Sequence, residues 1–168
     1  VCSSDLGAES GIGRLLARPG PPREVAVLGL GIGTLAAWGR AGDHFRFYEI
    51  NPAAIDVARR EFSFLADSAA RVEVVPGDAR VLLAAECGTA YDLIVVDAFS
   101  GDAIPLHLLS EEAVAMYLSH LASDGVLAVN VSNMHADLSR AVGAHAETFG
   151  LAAAWRRGST PSPLEAFR

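Results

Sequence analysis

Short, continuous apolar runs alternate along the chain with polar-rich segments that carry helix-start signals. Glu24–Leu28 is an apolar, valine-rich run that predicts a buried strand, and the glycine turn Gly29–Gly33 follows it. Thr34–Arg40 reads as a helix and Phe45–Ile50 as a second strand. Asn51 and Pro52 then supply an N-cap and a first-turn proline for a helix running to about Leu65. Val72–Val75 predicts a third strand, and Pro76-Gly77-Asp78 turns into a helix through Glu86. Tyr91–Val96 predicts a fourth strand, with a loop from Asp97 to Pro105. Ser110 opens a helix to about Leu121, and Asp124-Gly125 turns into a fifth strand, Val126–Val131. A last helix is expected over His135–Phe149 and a sixth strand over Leu151–Trp155.

Strand–helix alternation of this kind requires crossover connections, and therefore a parallel sheet covered on both faces. The fold class is α/β: a Rossmann-like, doubly wound, mostly parallel sheet. An eight-stranded barrel is excluded, because only about six strands are visible. In such sheets ligands bind beyond the carboxyl ends of the strands, beside the switch point. The search for function thus narrows to the residues after Leu28, Ile50, Val75, Val96 and Val131.

Composition sharpens this by exclusion. The 168 residues are 51% hydrophobic and 20% charged, which excludes a disordered chain, and the formal charge is −7. So negative a surface repels phosphate backbones, and the 13 Lys and Arg form no basic run, so no nucleic-acid partner is expected. Cys2 and Cys87 make neither a disulfide framework nor a metal site, and Cys87 reads as a helix-end thiol in a reducing cytoplasm. No apolar run reaches the ~18 residues of a membrane helix, so a cytoplasmic chain without membrane contact is expected. Both ends read as cut. Residues 1–7 read as a non-native leader, 8–23 as a connector from a missing N-terminal region, 24–157 as the cofactor-binding domain and 158–168 as a truncated tail. Truncation would leave an exposed sheet edge and a marginally stable fragment.

The chemistry gathers at the strand ends. Gly29, Gly31 and Gly33 let the backbone turn tightly and let a ligand approach main-chain atoms, although tight packing alone explains two of them. The dinucleotide fingerprint wants a further glycine where Thr34 stands, which counts against NAD. Glu49, twenty residues after Gly29 at the end of the next strand, can accept both hydroxyls of a ribose. Asp78, in Gly77-Asp78-Ala79, can accept from an adenine amino group or cap the following helix, and both can hold together. Asp97 ends the apolar strand Leu93-Ile94-Val95-Val96, a position suited to orienting or deprotonating a nucleophile. Together these four strand ends point to an adenosyl ligand.

The run from about Glu9 to Leu151 resembles spermidine-synthase-like proteins of the class I methyltransferase superfold. The resemblance rests on Ser10-Gly11-Ile12-Gly13, the Gly29–Gly33 turn, Tyr48-Glu49-Ile50-Asn51-Pro52, Gly77-Asp78-Ala79 and Tyr91–Asp97. It extends to Asp102-Ala103-Ile104-Pro105-Leu106-His107-Leu108-Leu109 and Asn130-Val131-Ser132-Asn133, as in bacterial members of which some carry a fused membrane domain. The resemblance implies a transferase with S-adenosylmethionine or its decarboxylated form as cofactor and no metal. It also implies that Glu49 holds the ribose, that Asp78 and Ala79 lie near the adenine, and that Asp97 is the catalytic aspartate. Asp102 and Phe99 would line the site of a small amine acceptor, and a homo-oligomer fits the family.

The sequence departs from that pattern in two places. Aminopropyltransferases carry an aspartate inside the glycine turn, where Ile32 stands here, and their Asp-Ser-Ser-Asp-Pro loop is replaced by Asp97-Ala98-Phe99-Ser100-Gly101-Asp102. Ile32 favours a small-molecule methyltransferase as the alternative, and a non-catalytic nucleotide-sensing domain is a second. His107 follows the Asp97 loop and can reach the crevice, but the preferred reading is an exposed helix-start residue; His120, His135 and His145 are given no role, and Trp38 and Trp155 are read as packing residues. Asn130 and Asn133 sit where they can border the pocket.

Overall fold

A computed structural model describes residues 10–98, 104–131 and 138–155. Its centre is a five-stranded sheet in the order β3-β2-β1-β4-β5, with every pairing parallel. The strands are β1 (Glu24–Leu28), β2 (His44–Glu49), β3 (Arg71–Pro76), β4 (Tyr91–Val96) and β5 (Leu121–Val129). β1 and β4 match the sequence expectation residue for residue. They are central, nearly all of their side chains are buried, and a continuous apolar run is the signature of that position.

The helices cover both faces, as double winding requires. On one side Val25, Val27, Phe45, Phe47, Leu93 and Val95 pack against Ile12 and Leu16 of α1 (Gly11–Leu16) and Ile55 and Ala58 of α2 (Pro52–Glu61). On the other, Ala26, Leu28, Tyr48, Ile94 and Val96 meet α4 (Ala79–Ala84) through Ala79 and Leu83, and α5 (Glu111–Ser119) through Ala113 and Tyr117. α3 (Phe64–Asp67) and α6 (Ser139–Thr148) complete the set. The caps read from the sequence are in place. Asn51 accepts from the Ala53 N–H, Asp78 from those of Arg80 and Val81, and Ser110 from that of Ala113.

Several expected boundaries shift, each for a local reason. The helix expected over Thr34–Arg40 is a 3-10 turn ending at Trp38, where Gly39 turns extended at a point where a Cβ would meet Ala70 and Ser68. The helix from Pro52 stops at Glu61, where Phe62 turns extended, and α3 restarts after Ser63. α4 ends at Ala84, so Glu86 can turn back beneath the sheet. β5 begins at Leu121, well before the Asp124-Gly125 turn. That turn is a bulge inside the strand, between the pairs Tyr91–Leu121 and Leu93–Val126, and a Cβ on Gly125 would lie 2.8 Å from the Tyr91 carbonyl oxygen. The sixth strand does not form among the described residues. Residues 151–155 are exposed coil, Trp155 included, and their alanine-rich sequence has little β preference. β5 is therefore an outer strand, paired only with β4 among the described residues.

Candidate functional site

Parallel register brings the strand ends into one row. Leu28 pairs with Tyr48 and with Val96, and Val96 with Val129. Just beyond, the ladder continues: the N–H of Gly29 donates to Tyr48 O, Asp97 to Leu28 O, Asn130 to Val96 O and Gly77 to Glu49 O, each at 2.9 Å. Gly29, Glu49, Gly77, Asp97 and Asn130 thus line the carboxyl edge side by side. At the usual spacing between strands, Glu49 and Asp97 stand about 10 Å apart across β1.

The three glycines of the turn separate by what surrounds them. A Cβ on Gly29 would lie 2.6 Å from the Asp97 carbonyl oxygen, and one on Gly33 would meet the Leu65 side chain at 2.9 Å. Packing explains both. Gly31 differs: its φ is +56° and nothing lies within 4 Å of its Cβ position, so its backbone faces open space.

Glu49 stands beside that opening. Its Oε2 accepts the Leu30 N–H at 3.0 Å and its Oε1 the Asn51 N–H at 2.8 Å. Two main-chain donors fix the carboxylate in one orientation, and each oxygen keeps a lone pair for a hydroxyl donor. The Asp78 carboxylate is the cap of α4, its Oδ1 taking both amides. Its Oδ2 lies 3.7 Å from His107 Nε2, while Arg80 Nη1 donates to His107 O at 3.0 Å. His107, half exposed in a 3-10 turn over Leu106–Leu108, thus borders the crevice beside Asp78. Ala79 is buried beneath it in the core.

At the β4 end, Asn130 Nδ2 donates to Asp97 Oδ1 at 2.7 Å. Phe99 and Asp102, expected to line the acceptor site, lie outside the described residues, as do Asn133 and His135. His120 and His145 each bond backbone carbonyls, Met116 O and Leu109 O, as structural residues do. Trp38 packs on the core as expected.

Sequence reasoning passed over three large apolar side chains that are exposed along this edge: Ile50 next to Glu49, Val81 in α4 and Leu106 next to His107. Exposed apolar groups beside carboxylates suit the faces and edge of a purine, and for Ile50 and Val81 the signal was an apolar residue directly after a polar one.

A cavity of about 370 Å³ opens at the opposite edge of the sheet, bordered by Glu24, His44, Arg46 and Tyr91. Most of its polar groups are engaged with one another, while Arg46 Nε and His44 Nε2 make no hydrogen bond among the described residues. Arg46 pairs with Glu73 and Glu86, both Tyr48 and Tyr91 donate to Glu86, and His44 Nδ1 bonds Glu24 at 2.8 Å. Burial, reinforced by Glu86, holds the Tyr48 hydroxyl far above its ordinary range, so it remains a donor. This network braces the strand starts, and the chemistry belongs to the carboxyl edge, where a doubly wound sheet presents its switch point. No group of three or more His, Cys, Asp or Glu suited to a metal ion, and no helix long and apolar enough to cross a membrane, occurs among the described residues.

No family model matches the chain. Over 121 residues it is 37% identical to a polyamine aminopropyltransferase of Vibrio vulnificus (strain CMCP6), covering 69% of this chain and 40% of that protein. The chain thus spans less than half the length of that relative. Its fold superposes on human methyltransferase-like protein 13, crystallised with SAH, with a TM-score of 0.63 and 23% identity, covering 86% of this chain and 69% of that one. It also superposes on spermidine synthase from Thermotoga maritima, with a TM-score of 0.56 and 20% identity over 73% of this chain and 45% of that one. The resemblance read from the motifs is borne out, and the fold is that of the class I methyltransferases.

Proposed function

We propose that this chain, a relative of the polyamine aminopropyltransferases, binds S-adenosylmethionine or its decarboxylated form and transfers the aminopropyl group to a small amine. The observation that carries the reading is the Glu49 carboxylate, anchored through both oxygens on main-chain amides beside the open backbone of Gly31. A carboxylate fixed in that way is a ready acceptor for the paired hydroxyls of a ribose. The residues fit such a ligand along the whole edge: Gly31 admits it against the main chain, Glu49 takes the sugar, and Asp78 with exposed Ile50 and Val81 flanks the base, Ala79 lying buried beneath.

When bound, the decarboxylated cofactor supplies a carbon activated by its sulfonium, so that the sulfur departs as a neutral thioether and no metal is required. Asp97 then needs only to hold the acceptor nitrogen in line and take up the proton it loses. Asp102 and Phe99 complete the acceptor site in this reading, and the protein works in the cytoplasm, with assembly into a homo-oligomer.

Methyl transfer is the second reading, favoured by one observation: Ile32 is apolar and half-buried at the glycine turn, where aminopropyl transfer calls for an acid. Calorimetric titration of the full-length protein with methylthioadenosine, S-adenosylhomocysteine and NAD separates the possibilities. Preference for methylthioadenosine supports aminopropyl transfer, and preference for S-adenosylhomocysteine supports methyl transfer. Binding of neither by a folded sample rejects the adenosyl reading altogether.

A further inference from the structure

We propose that Asn130 is a positioning residue, which acts on the reaction through Asp97 and not through the cofactor or the acceptor. The inference deepens the transferase reading and rests on it for its kinetic arm. Its basis is the 2.7 Å bond from Asn130 Nδ2 to Asp97 Oδ1. The two residues come from neighbouring strand ends, and the backbone sets them opposite one another: Val96 pairs with Val129, and the Asn130 N–H donates to Val96 O at 2.9 Å.

An aspartate at the end of a buried strand has two sources of orientational freedom, its backbone and its χ angles. The backbone of Asp97 is fixed by its N–H bond to Leu28 O and by the close pass of Gly29, which leaves no space for a Cβ. Asn130 addresses the side chain. An amide N–H donated to one carboxylate oxygen favours one rotation of the group. An aspartate in that position could not serve, because a second carboxylate would repel the first. An alanine would remove this donor from the carboxylate. Asparagine at the end of β5 supplies the donor without adding charge.

The test is a double-mutant cycle on the full-length protein, with decarboxylated S-adenosylmethionine and putrescine as the probe pair. Asn130→Ala is expected to lower kcat roughly 10- to 100-fold, with methylthioadenosine affinity unchanged within about twofold. Asn130→Asp is expected to lose more than Asn130→Ala, although its shape is closer to the native residue. In an Asp97→Ala background, Asn130→Ala should cost nothing further, because a residue acting through Asp97 has nothing left to orient. Additive losses in the cycle would show that Asn130 acts on a substrate directly and would overturn the proposal.

An NMR arm keeps this outcome separate from failure of the transferase reading. The side-chain amide protons of Asn130 should be resolved and slowly exchanging in the native protein and lose both properties in Asp97→Ala. If the native protein neither binds methylthioadenosine nor turns over the probe pair, the adenosyl reading fails while the amide signature still decides the pairing. An amide unchanged by Asp97→Ala would sink the proposal whatever the kinetics.

Discussion

Gly29 passes so close to Asp97 that a Cβ added to it, at a φ of +102°, would sit 2.6 Å from the Asp97 carbonyl oxygen and 2.8 Å from the Ala98 Cα. The close contact holds the backbone of one candidate site residue against the turn that forms the other side of the crevice. Packing and site geometry are the same fact at this point.

Gly29→Ala should therefore damage the fold itself, with a loss of about 2–4 kcal/mol measured by chemical denaturation. Gly31→Ala should behave differently. Its Cβ would enter open space, so its cost is the left-handed backbone alone, about 1 kcal/mol. Its effect on methylthioadenosine affinity should be large, at least tenfold, because the new methyl group occupies the space proposed for the ligand. Equal stability losses at the two positions would contradict this division.

The two glycines look alike in the sequence, and the reason divides what is legible there from what is not. The strands β1 and β4, the Asn51-Pro52 helix start and the row of strand-end residues follow from local chemistry: apolar runs, caps and turns that a single stretch of chain encodes. Which of three glycines answers to packing does not, because Gly29 is constrained by Asp97 and Gly33 by Leu65, residues distant in sequence. Asn130 and His107 could be placed near the crevice from sequence, but their partners, Asp97 and Asp78, stayed hidden for the same reason. The bulge at Gly125 misled because a turn signal normally ends a strand, whereas here the pairing with β4 runs through it.

Glu86 is a second long-range element, and its prediction concerns stability alone. It receives the Tyr48 and Tyr91 hydroxyls and the Arg46 guanidinium, the last at 3.0 Å, on side chains that the proposed ligand contacts do not include. Glu86→Ala removes one of the two carboxylate partners of the part-buried Arg46, which keeps Glu73, and leaves the Tyr48 and Tyr91 hydroxyls only each other, so it should cost about 1–3 kcal/mol. Tyr91→Phe should cost about 1 kcal/mol. Ligand affinity of any sample that still folds should be unaffected, which calorimetry on both variants checks.

Asp43 carries the acid sensitivity. It is 1% exposed, and burial on its own would raise its pKa; hydrogen bonds from Arg23 and Arg40 side chains and backbone outweigh that and bring it from 3.8 to about 2. A carboxyl depressed on folding stabilises the protein above its unfolded pKa, and this contribution fades as pH falls from about 4 towards about 2. Its size is on the order of 2 kcal/mol. Asp43→Asn should lose stability at neutral pH and show a flatter acid limb in denaturation free energy. An unchanged slope over that window would mean the Arg23 and Arg40 bonds do not govern it.

Glu49 and Asp97 occupy the same row and should fail in different ways. Glu49 is held by two main-chain amides at the edge of β2, where it is placed to bind and not to react. Glu49→Gln replaces one acceptor oxygen with an amide nitrogen that cannot receive the N–H opposite it. That should weaken methylthioadenosine binding by about 10- to 100-fold and cost about 1–3 kcal/mol of stability. Asp97→Asn keeps shape and most hydrogen bonding but removes the proton acceptor. Turnover with decarboxylated S-adenosylmethionine and putrescine should fall about 10²- to 10⁴-fold, with affinity within twofold of the native protein. A nucleotide sensor would show the first effect without the second, because it has no chemistry for Asp97 to serve. Parallel affinity and turnover measurements on the two variants therefore distinguish an enzyme from a binding domain with the same fold.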